Sequence, residues 1–419
     1  MTGLSRRHLI ALSAGFLAAP VIAQGRSRVV VIGGGFGGAA AARALSRIAP
    51  QIEVTLIVDT DRFTTCPFSN LVIAGELPLS QITFGYDGLA AAGVTIRRGP
   101  AVEIDAARRV VRLADGDEVA FDRAIASPGI DLKFGAVSGY DEAAAAHMPH
   151  AWKAGAQTEL LRDQLAAMPE GGTFVMSVPN NPYRCPPGPY ERVSLVAHFL
   201  KRSNPRAKII ILDGKDSFSK QSLFLEGWER LYPGMITHVP FAENGGVLGV
   251  DPSTREITTA FETLRGDVVN FIPPQSAAQV LLRSGLGGDG EWCQIDQRTF
   301  ESVVMPNVHV LGDSAIVGDM PKSGFSAAAQ GAVCAHVVTA LLHGAPAPQG
   351  VLLNTCYSLV GPDYGISVAG VYRLNAEGRV TAVPGSGGNS PAGASDAFRQ
   401  AEAGYARSWY ANLTRQLFG

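Results

Sequence analysis

The chain has 419 residues, of which 46% are hydrophobic and 17% are charged, and its formal net charge is −2. A chain of this length is too long for one ordinary hydrophobic core, so two or three domains are expected. The nearly balanced charge and the lack of any run of lysines and arginines in the sequence argue against a protein that binds nucleic acid.

The N-terminus has the features of an export signal. The pair Arg6-Arg7 precedes a short apolar stretch over residues 11–19, and residues 21–23 offer a cleavage site. This pattern predicts a twin-arginine signal peptide over residues 1–23, which directs the folded protein to the periplasm. A buried N-terminal helix or a membrane anchor is the alternative, but the apolar stretch is shorter than the ~20 residues that a membrane-spanning helix needs. No transmembrane segment is expected in the mature chain.

A glycine-rich turn follows the first predicted strand. Residues 28–32 are continuously apolar after the first, as in a strand of a buried parallel sheet. Gly33, Gly35 and Gly38 then form the motif G-x-G-x-x-G before an alanine-rich helix over residues 39–48. In such a turn the first glycine permits the bend, the second lets a pyrophosphate approach the backbone, and the third lets helix and strand pack closely. The motif predicts a dinucleotide at the helix N-terminus, where free N–H groups favour anions.

Asp59 ends the next apolar strand, residues 53–58, about 20 residues after the last glycine of the motif. An acidic side chain in this place accepts hydrogen bonds from a ribose hydroxyl, so a cofactor with a 2′-phosphate is not expected. A glycine-rich turn without a ligand is the alternative interpretation. The correct order of strand, turn, helix and acid favours the dinucleotide.

A later strand indicates which dinucleotide is bound. Residues 307–311 form a further strand that ends in Gly312 and Asp313. In flavoproteins with two dinucleotide-binding domains such a strand returns to the first domain, and its aspartate binds the ribityl or phosphate part of FAD. Lys322 follows in a loop before a helix over residues 325–342. We expect Lys322 and this helix N-terminus to stabilise negative charge on a reduced flavin, although a solvated loop lysine is equally compatible with the sequence.

A second nucleotide-binding pattern begins at Gly172 but lacks a glycine loop. The strand over residues 173–178 and the helix over residues 190–201 are joined by a loop with five prolines and Cys185. Proline offers no N–H group to a pyrophosphate, and its ring prevents close approach of the ligand. The sequence therefore argues against a nicotinamide cofactor, so electrons enter and leave by other routes.

These patterns predict an α/β fold with two dinucleotide-binding domains, like that of glutathione reductase, followed by a C-terminal α+β domain. We expect the FAD-binding domain in two parts, residues 24–138 and 275–345. The second nucleotide-binding-like domain is expected over residues 139–274, and a C-terminal interface domain over residues 346–419.

The five cysteines are expected to have different roles. The sequence has no C-x-x-C motif, no haem-attachment motif, and no cysteine with a partner at zinc spacing, so we expect no metal site. Cys293 and Cys334 are interpreted as small core residues. Cys66, Cys185 and Cys356 are expected near the flavin, and spacing alone allows any pairing among these three.

The loop that contains Cys185 precedes a helix N-terminus, which favours a thiolate. Glu191 lies in the first turn of that helix, where its carboxyl group is a candidate for moving protons.

Several segments resemble the flavoprotein subunit of flavocytochrome c sulfide dehydrogenase, and the similarity covers essentially the whole mature chain. These strings are uncommon outside that family. They are Arg184-Cys185-Pro186-Pro187-Gly188-Pro189-Tyr190-Glu191-Arg192, Phe218-Ser219-Lys220-Gln221-Ser222, Gly227-Trp228-Glu229-Arg230-Leu231-Tyr232, Met320-Pro321-Lys322-Ser323-Gly324, Asn354-Thr355-Cys356-Tyr357-Ser358, Gly365-Ile366-Ser367-Val368 and Ser408-Trp409-Tyr410.

The resemblance implies specific roles for residues of this chain. It implies that Cys66 holds FAD through a thioether to the 8α-methyl group, although the proline after Cys66 departs from the family pattern. It implies that Cys185 and Cys356 form a disulfide on one face of the flavin. Glu191 and Trp409 match residues that lie beside that disulfide and flavin in the family.

The resemblance also implies a mechanism. Hydrosulfide attacks the disulfide to give a persulfide and a thiolate, and the thiolate passes two electrons to FAD. The reduced flavin gives its electrons singly to haem, and because this chain has no haem motif, a c-type cytochrome subunit is expected in a heterodimer. The activity is therefore expected to be that of a periplasmic sulfide:cytochrome-c oxidoreductase.

Three other functions are compatible with parts of the sequence. A sulfide:quinone oxidoreductase would pass electrons to quinone instead of cytochrome. An NAD(P)H-dependent disulfide reductase is disfavoured by the proline loop. An accessory flavoprotein of a periplasmic sulfur-oxidising complex would bind a carrier protein without turning sulfide over.

Near the C-terminus, Tyr405, Trp409, Leu413 and Leu417 recur every four residues, which predicts one face of a helix. Core packing is the simplest role for this face. A contact with the cytochrome or with a membrane surface is the alternative.

Overall fold

The computed structural model describes residues 26–419. The predicted signal peptide, residues 1–23, lies outside the described residues.

The helices and strands fall into three consecutive parts of the chain. The first part contains β1 (Arg28–Ile32), α1 (Phe36–Ile48), β2 (Glu53–Val58), β3 (Phe63–Thr64), α2 (Ser69–Ile73), β4 (Thr83–Phe84), α3 (Asp87–Ala91), β5 (Thr95–Arg98), β6 (Ala101–Asp105), β7 (Val110–Leu113), β8 (Glu118–Ala120), β9 (Arg123–Ala126) and β10 (Ile130–Leu132). The middle part contains α4 (Ala156–Ala166), β11 (Thr173–Val178), α5 (Gly188–Ser203), β12 (Lys208–Asp213), α6 (Gln221–Leu231), β13 (Ile236–Val239), α7 (Phe241–Asn244), β14 (Val247–Asp251), β15 (Glu256–Thr259), β16 (Thr263–Arg265) and β17 (Val268–Phe271). The last part contains β18 (Gln275–Ala277), α8 (Gln279–Arg283), β19 (Val308–Val310), α9 (Gly324–Leu342), β20 (Leu352–Gly361), β21 (Tyr364–Leu374), β22 (Val380–Ala382), β23 (Gly388–Asn389) and α10 (Asp396–Phe418).

The first sheet is parallel and is completed by a strand from late in the chain. Its order is β19-β9-β1-β2-β5. The central strand β1 is buried after its first residue, because both faces of a parallel sheet are covered by other elements. The return of residues 308–310 to this sheet places the segment after β19 beside the glycine-rich turn, as the sequence predicts.

The second parallel sheet has the order β13-β12-β11-β17. It confirms the second nucleotide-binding-like fold, and β10 pairs with β18 in an antiparallel ladder where the chain passes between the two folds. Helix α5 begins at Gly188, two residues earlier than the sequence predicts. Pro189 is tolerated there because the first helical turn needs no N–H donor from it.

The C-terminal part is a β-hairpin with one long helix. Strands β20 and β21 pair over most of their length, and α10 lies against β21. The contact is close, since a Cβ atom on Gly365 would lie 2.4 Å from the backbone nitrogen of Ala403. The fold class predicted from the sequence is confirmed, while the predicted domain boundaries stay a proposal.

Within residues 26–419, α9 is the one helix long and apolar enough to cross a membrane by length and composition. Half of its apolar window is buried inside the protein. It packs tightly on α1, because a Cβ atom on Gly331 would lie 2.2 Å from the carbonyl oxygen of Gly37. Its apolar composition is therefore accounted for by contact with the first fold.

Candidate functional site

A cleft of about 520 Å³ runs from the glycine-rich turn to the start of α9. It passes Asp59 directly after β2, the loop before α2 that contains Cys66, and the loop before α5. Its lining includes Gly33, Gly34, Gly35, Asp59, Cys66, Pro67, Arg184, Asp313 and Gly324. The cleft thus brings together most of the residues that the sequence assigns to a dinucleotide.

The glycines of the turn differ in what surrounds them. Gly33 has φ +98°, and a Cβ atom there would lie 2.4 Å from the carbonyl oxygen of Ser127. A Cβ atom on Gly38 would lie 1.9 Å from the carbonyl oxygen of Gly33. At Gly35 a Cβ atom would meet only the ring of Phe63, at 3.5 Å, so this wall of the cleft is open to a ligand.

Asp313 supplies a test of whether a polar ligand fits the cleft. Its Oδ1 atom is buried and has no hydrogen-bond partner among the described residues. Burial raises the pKa of this carboxyl group, against the opposing effect of Arg184 and Lys322. A buried oxygen without a partner is unfavourable, and Asp313 lines the cleft, so its carboxyl group fits a ligand with hydroxyl groups. Gly312 before it has φ +72° and donates its N–H to Gln330 at 2.8 Å, which fixes the turn after β19.

Lys322 is held by the protein itself. Its ammonium group donates to the carbonyl oxygens of Asp313 and Ala315, both at 2.8 Å, and lies 4.0 Å above the ring of Trp292. Burial lowers its pKa to about 8. These contacts contradict the alternative of a solvated loop lysine. The expected action of Lys322 on a reduced flavin stays a prediction.

The thiols of Cys185 and Cys356 lie close enough for each to shift the pKa of the other, and both residues are partly buried. Cys356 lies in β20, opposite Val368 of β21. Cys185 has φ +58°, and its N–H donates to the carbonyl oxygen of Lys322 at 2.8 Å. Of the pairings that spacing left open, the structure brings this one together, and it ties the pair to the loop before α9.

The geometry differs from the expected thiolate at Cys185. The interaction with the thiol of Cys356 is the largest cause that raises the pKa of Cys185, followed by burial and by the negative charge of Glu191. Only the helix N-terminus is visible in the sequence around Cys185, whereas these neighbours come from elsewhere in the chain.

Glu191 lies next to the two thiols. Its carboxylate accepts the N–H of Leu359 at 2.8 Å and the side-chain amide of Asn70 at 3.0 Å. Burial raises its pKa, and these hydrogen bonds act in the opposite direction. The carboxyl group therefore holds a proton at a higher pH than an exposed glutamate does.

Cys66 lies in the cleft, apart from this pair. Its thiol donates to the carbonyl oxygen of Trp152 at 3.5 Å, and the guanidinium group of Arg184 bonds to that same oxygen. The ring of Tyr410 in α10 stacks on Phe68, with centroids 4.3 Å apart, and covers this loop. Cys293 and Cys334 are fully buried, in agreement with their interpretation as core residues.

Trp409 lies on α10 above the start of α9. Its ring stacks on Phe325, with centroids 5.7 Å apart, and lies 6.3 Å from the ring of Tyr357, the neighbour of Cys356. The predicted stripe on this helix is only partly a core face, because Tyr405 at its start is 60% exposed and only Leu417 at its end is buried.

Lys220, which has no role assigned from the sequence, lies at the thiol pair in the structure. Lys220 is 3% exposed and donates to the carbonyl oxygen of Cys356 and to the hydroxyl of Ser358, both at 2.8 Å. The available signal was its place in one of the strings that resemble the family.

In the second fold, the acid at the end of the second strand, where a nicotinamide cofactor would bind through its ribose, is engaged by the protein itself. Asp213 at the end of β12 is buried, and its carboxylate accepts from Tyr190 at 2.6 Å, Lys215 at 2.6 Å and His238 at 2.9 Å. An aspartate whose oxygens are bonded within the protein is not available to a ribose.

Comparison with known proteins assigns the chain to a family. Residues 158–273 match the family model for the central part of the sulfide dehydrogenase (flavocytochrome c) flavoprotein chain, and residues 348–418 match the model for the flavin-binding part of flavocytochrome c sulphide dehydrogenase. Residues 27–164 match the model for pyridine nucleotide-disulphide oxidoreductases.

Individual relatives agree with these matches. A 48-residue sequence of the sulfide dehydrogenase (flavocytochrome c) flavoprotein chain of Chlorobaculum thiosulfatiphilum is 56% identical over its whole length, which is 12% of this chain. The mitochondrial sulfide:quinone oxidoreductase of Mus musculus is 23% identical over 317 residues, 73% of this chain and 69% of that protein. The structure of the sulfide:quinone oxidoreductase of Aquifex aeolicus has the same fold, with a TM-score of 0.72, 16% identity, and coverage of 93% of this chain and 92% of that one. The chain belongs to the family of the flavoprotein chain of flavocytochrome c sulfide dehydrogenase.

Proposed function

We propose that this chain is an exported oxidoreductase that oxidises sulfide with a cysteine pair and a covalently bound FAD, and passes the electrons to a c-type cytochrome subunit. The observation that carries the proposal is the contact between the thiols of Cys185 and Cys356 beside the carboxylate of Glu191. The N–H of Cys185 donates a hydrogen bond to the carbonyl oxygen of Lys322 in the loop before α9, and this bond places the pair next to the cleft.

The cleft supports the proposed cofactor. Gly35 and the N-terminus of α1 fit a pyrophosphate, Asp59 fits a ribose, and the unpartnered oxygen of Asp313 fits a hydroxyl of the ribityl chain. Cys66 lines the same cleft with a thiol that is free to be alkylated. When bound, FAD accepts electrons in a pair and releases them singly.

The cysteine pair supplies the reaction with sulfide. In the oxidised enzyme Cys185 and Cys356 form a disulfide, and hydrosulfide attacks one sulfur. The disulfide bond breaks, a new sulfur–sulfur bond forms to the sulfur that is attacked, and the other cysteine leaves as a thiolate with the electron pair. Glu191 lies where it can accept or return a proton at this site. Its raised pKa is closer to neutral pH than that of an exposed glutamate, which favours proton transfer.

The proposed partner and location follow from different observations. A cytochrome acceptor is supported by the family and by the lack of any haem-attachment motif in this chain. The bonded carboxylate of Asp213 and the proline loop argue against NAD(P)H. A periplasmic location rests on the arginine pair and apolar stretch of residues 1–23.

The covalent flavin is tested by denaturing the purified, exported protein in acid. We expect the yellow colour to stay with the wild-type polypeptide and to be released from Cys66→Ala. The intact mass of the wild type is expected to exceed that of its polypeptide by one FAD less two hydrogen atoms, whereas the variant is expected to have the mass of its polypeptide alone. The matched control is Cys293→Ala, which removes a buried thiol outside the cleft and is expected to keep the colour attached.

The same preparation tests the reaction. Sulfide is expected to bleach the native wild-type protein, and a c-type cytochrome is expected to restore the colour. Restoration by quinone in detergent but not by cytochrome would identify a sulfide:quinone oxidoreductase instead. A flavin that sulfide does not bleach would contradict the proposed function.

Glu191→Gln is expected to slow flavin reduction by sulfide about 10²-fold, the usual size of a proton-transfer contribution. Because burial raises the pKa of Glu191, the wild-type rate is expected to rise with pH as this group ionises, and the variant is expected to lose that part of the profile. The measurement is the rate of flavin bleaching against pH under anaerobic conditions.

The control for this change is Glu170→Gln, which removes an exposed carboxylate paired with Arg206 at 2.5 Å. It is expected to leave the rate and its pH profile unchanged. If the rate of Glu191→Gln still rose with pH as the wild-type rate does, a group other than Glu191 would be responsible for that rise.

A further inference from the structure

Lys220 is a buried cation whose position is fixed by the strand that carries Cys356. It precedes α6 in the left-handed conformation, with φ +62°, which is unfavourable for a residue with a side chain. Its ammonium group donates to the carbonyl oxygen of Cys356 and to the hydroxyl of Ser358, each at 2.8 Å. A strained backbone with an ammonium group fixed by two hydrogen bonds indicates that the position of this charge matters.

The surroundings of Lys220 show which charge it faces. Burial lowers its pKa, and the negative groups that act against burial are Cys356, Glu191, Cys185 and Glu402, in that order. A buried ammonium group without a nearby negative charge is costly, so the site favours a thiolate within reach of Lys220.

The two sulfurs are not equivalent in this field. Lys220 donates a hydrogen bond to the backbone carbonyl oxygen of Cys356, whereas the pKa of Cys185 is raised by the thiol of Cys356, by burial and by Glu191. The pKa of Cys356 is lowered by the thiol of Cys185 and by Lys220, against the effect of burial and of Glu191. Tyr372 on β21 also faces this thiol: its pKa is raised by burial, then by Asp319 and by Cys356.

The helix N-terminus after Cys185 does not outweigh this difference. Its dipole corresponds to about half an elementary charge, and the N–H of Gly188 already donates to the carbonyl oxygen of Cys185 at 2.8 Å. Lys220 supplies a full charge in a buried place. Arg184 also lowers the pKa of Cys185, but it is the smallest of the causes acting on that thiol.

We propose that Lys220 directs the negative charge of the opened pair to Cys356, so that hydrosulfide attacks Cys185. This inference rests on the proposed function and names the order of its first step. Hydrosulfide and the disulfide become a Cys185 persulfide and a Cys356 thiolate, with the proton kept on the terminal sulfur and the electron pair of the broken bond on Cys356. Attack on Cys185 is faster because the better leaving thiolate is the one that Lys220 stabilises. Lys220 touches the backbone of Cys356 and not its sulfur, so it acts as a positioning residue.

The first test measures the charge on Cys356 directly. In the Cys185→Ser background, alkylation of Cys356 by iodoacetamide is followed against pH, with and without Lys220→Met. The substitution is expected to raise the apparent pKa of Cys356 by about one unit, which slows alkylation about tenfold at pH values well below the original pKa and about fivefold at that pKa. Lys220→Arg is expected to keep most of the original profile.

The matched control is Lys201→Met, which removes a lysine bonded to the carbonyl oxygen of Leu231 at 2.9 Å on the far part of α5. It is expected to leave the alkylation profile of Cys356 unchanged. An unchanged profile in Lys220→Met would overturn the role of Lys220.

The second test needs no variant at Lys220, so it holds even if Lys220→Met does not fold. Wild-type protein is mixed with one equivalent of sulfide, alkylated at once and digested for mass spectrometry. The added sulfur is expected on the peptide with Cys185, and its presence on the peptide with Cys356 would overturn the proposed order. A persulfide on neither peptide would contradict the proposed function itself, while the alkylation profile would still decide whether Lys220 sets the charge of Cys356.

Discussion

Cys356→Ser is expected to abolish the reduction of bound flavin by sulfide while the flavin stays attached. A serine hydroxyl forms no disulfide with Cys185, so hydrosulfide has no bond to attack. The loss of a group that reacts covalently should lower the rate by about 10³-fold or more. The measurement is anaerobic stopped-flow absorbance of the flavin after mixing with sulfide.

The structure gives reasons why this variant should fold. The backbone of Cys356 pairs with Val368 in the hairpin and accepts a hydrogen bond from Lys220, and serine keeps both contacts. Cys334→Ala is the control, because Cys334 is fully buried in α9 and does not line the cleft. Normal turnover of sulfide by Cys356→Ser would contradict the disulfide mechanism.

The residues that line the cleft were predictable from the sequence because the patterns that identify them are local. A strand, a glycine turn and a helix occupy consecutive residues, and their spacing reflects the bend at Gly33 and the close approach at Gly38. Asp313 followed from one more strand with the same pattern. The structure adds that its Oδ1 atom has no partner among the described residues, which a sequence does not reveal.

The cysteine pair was not predictable in the same way. Cys185 and Cys356 lie in different parts of the chain, and they meet because α5 packs against β20. The charge on each sulfur depends on Lys220 and Glu191, which reach the pair from the starts of two helices. The local sequence shows only the helix after Cys185, and it therefore favours a thiolate on Cys185, whereas we propose that the thiolate forms on Cys356.

The buried face of the C-terminal helix was also not predictable from its sequence pattern. Large apolar residues recur every four positions at Tyr405 and Trp409, but the face of α10 against β21 includes Ala403 and Ala406, which are buried. Small residues allow the helix to approach Gly365 closely, and they give a weak hydrophobic signal. Because the helix contacts β21 through these small residues, the large residues Tyr405 and Trp409 beside them stay partly exposed.

Gly38→Ala is expected to yield a protein with little bound FAD and a lower free energy of unfolding. The added Cβ atom would lie 1.9 Å from the carbonyl oxygen of Gly33 and 3.3 Å from the side chain of Val31, so α1 must move away from the turn. Such overpacking costs about 1–3 kcal/mol, and the shift moves the N–H groups that are proposed to bind the pyrophosphate. The measurements are the flavin content of the purified protein and its urea unfolding midpoint.

Gly404→Ala is the matched control, and its expected effect on stability is opposite to that of Gly38→Ala. Gly404 lies on the exposed side of α10, and a Cβ atom there would meet nothing within 4 Å. Because alanine favours a helix over glycine by about 1 kcal/mol, Gly404→Ala is expected to raise the unfolding midpoint and to keep its flavin. If Gly38→Ala retained full flavin and wild-type stability, the close contact between α1 and the turn would not be needed, and the cleft would lose its strongest argument for a dinucleotide.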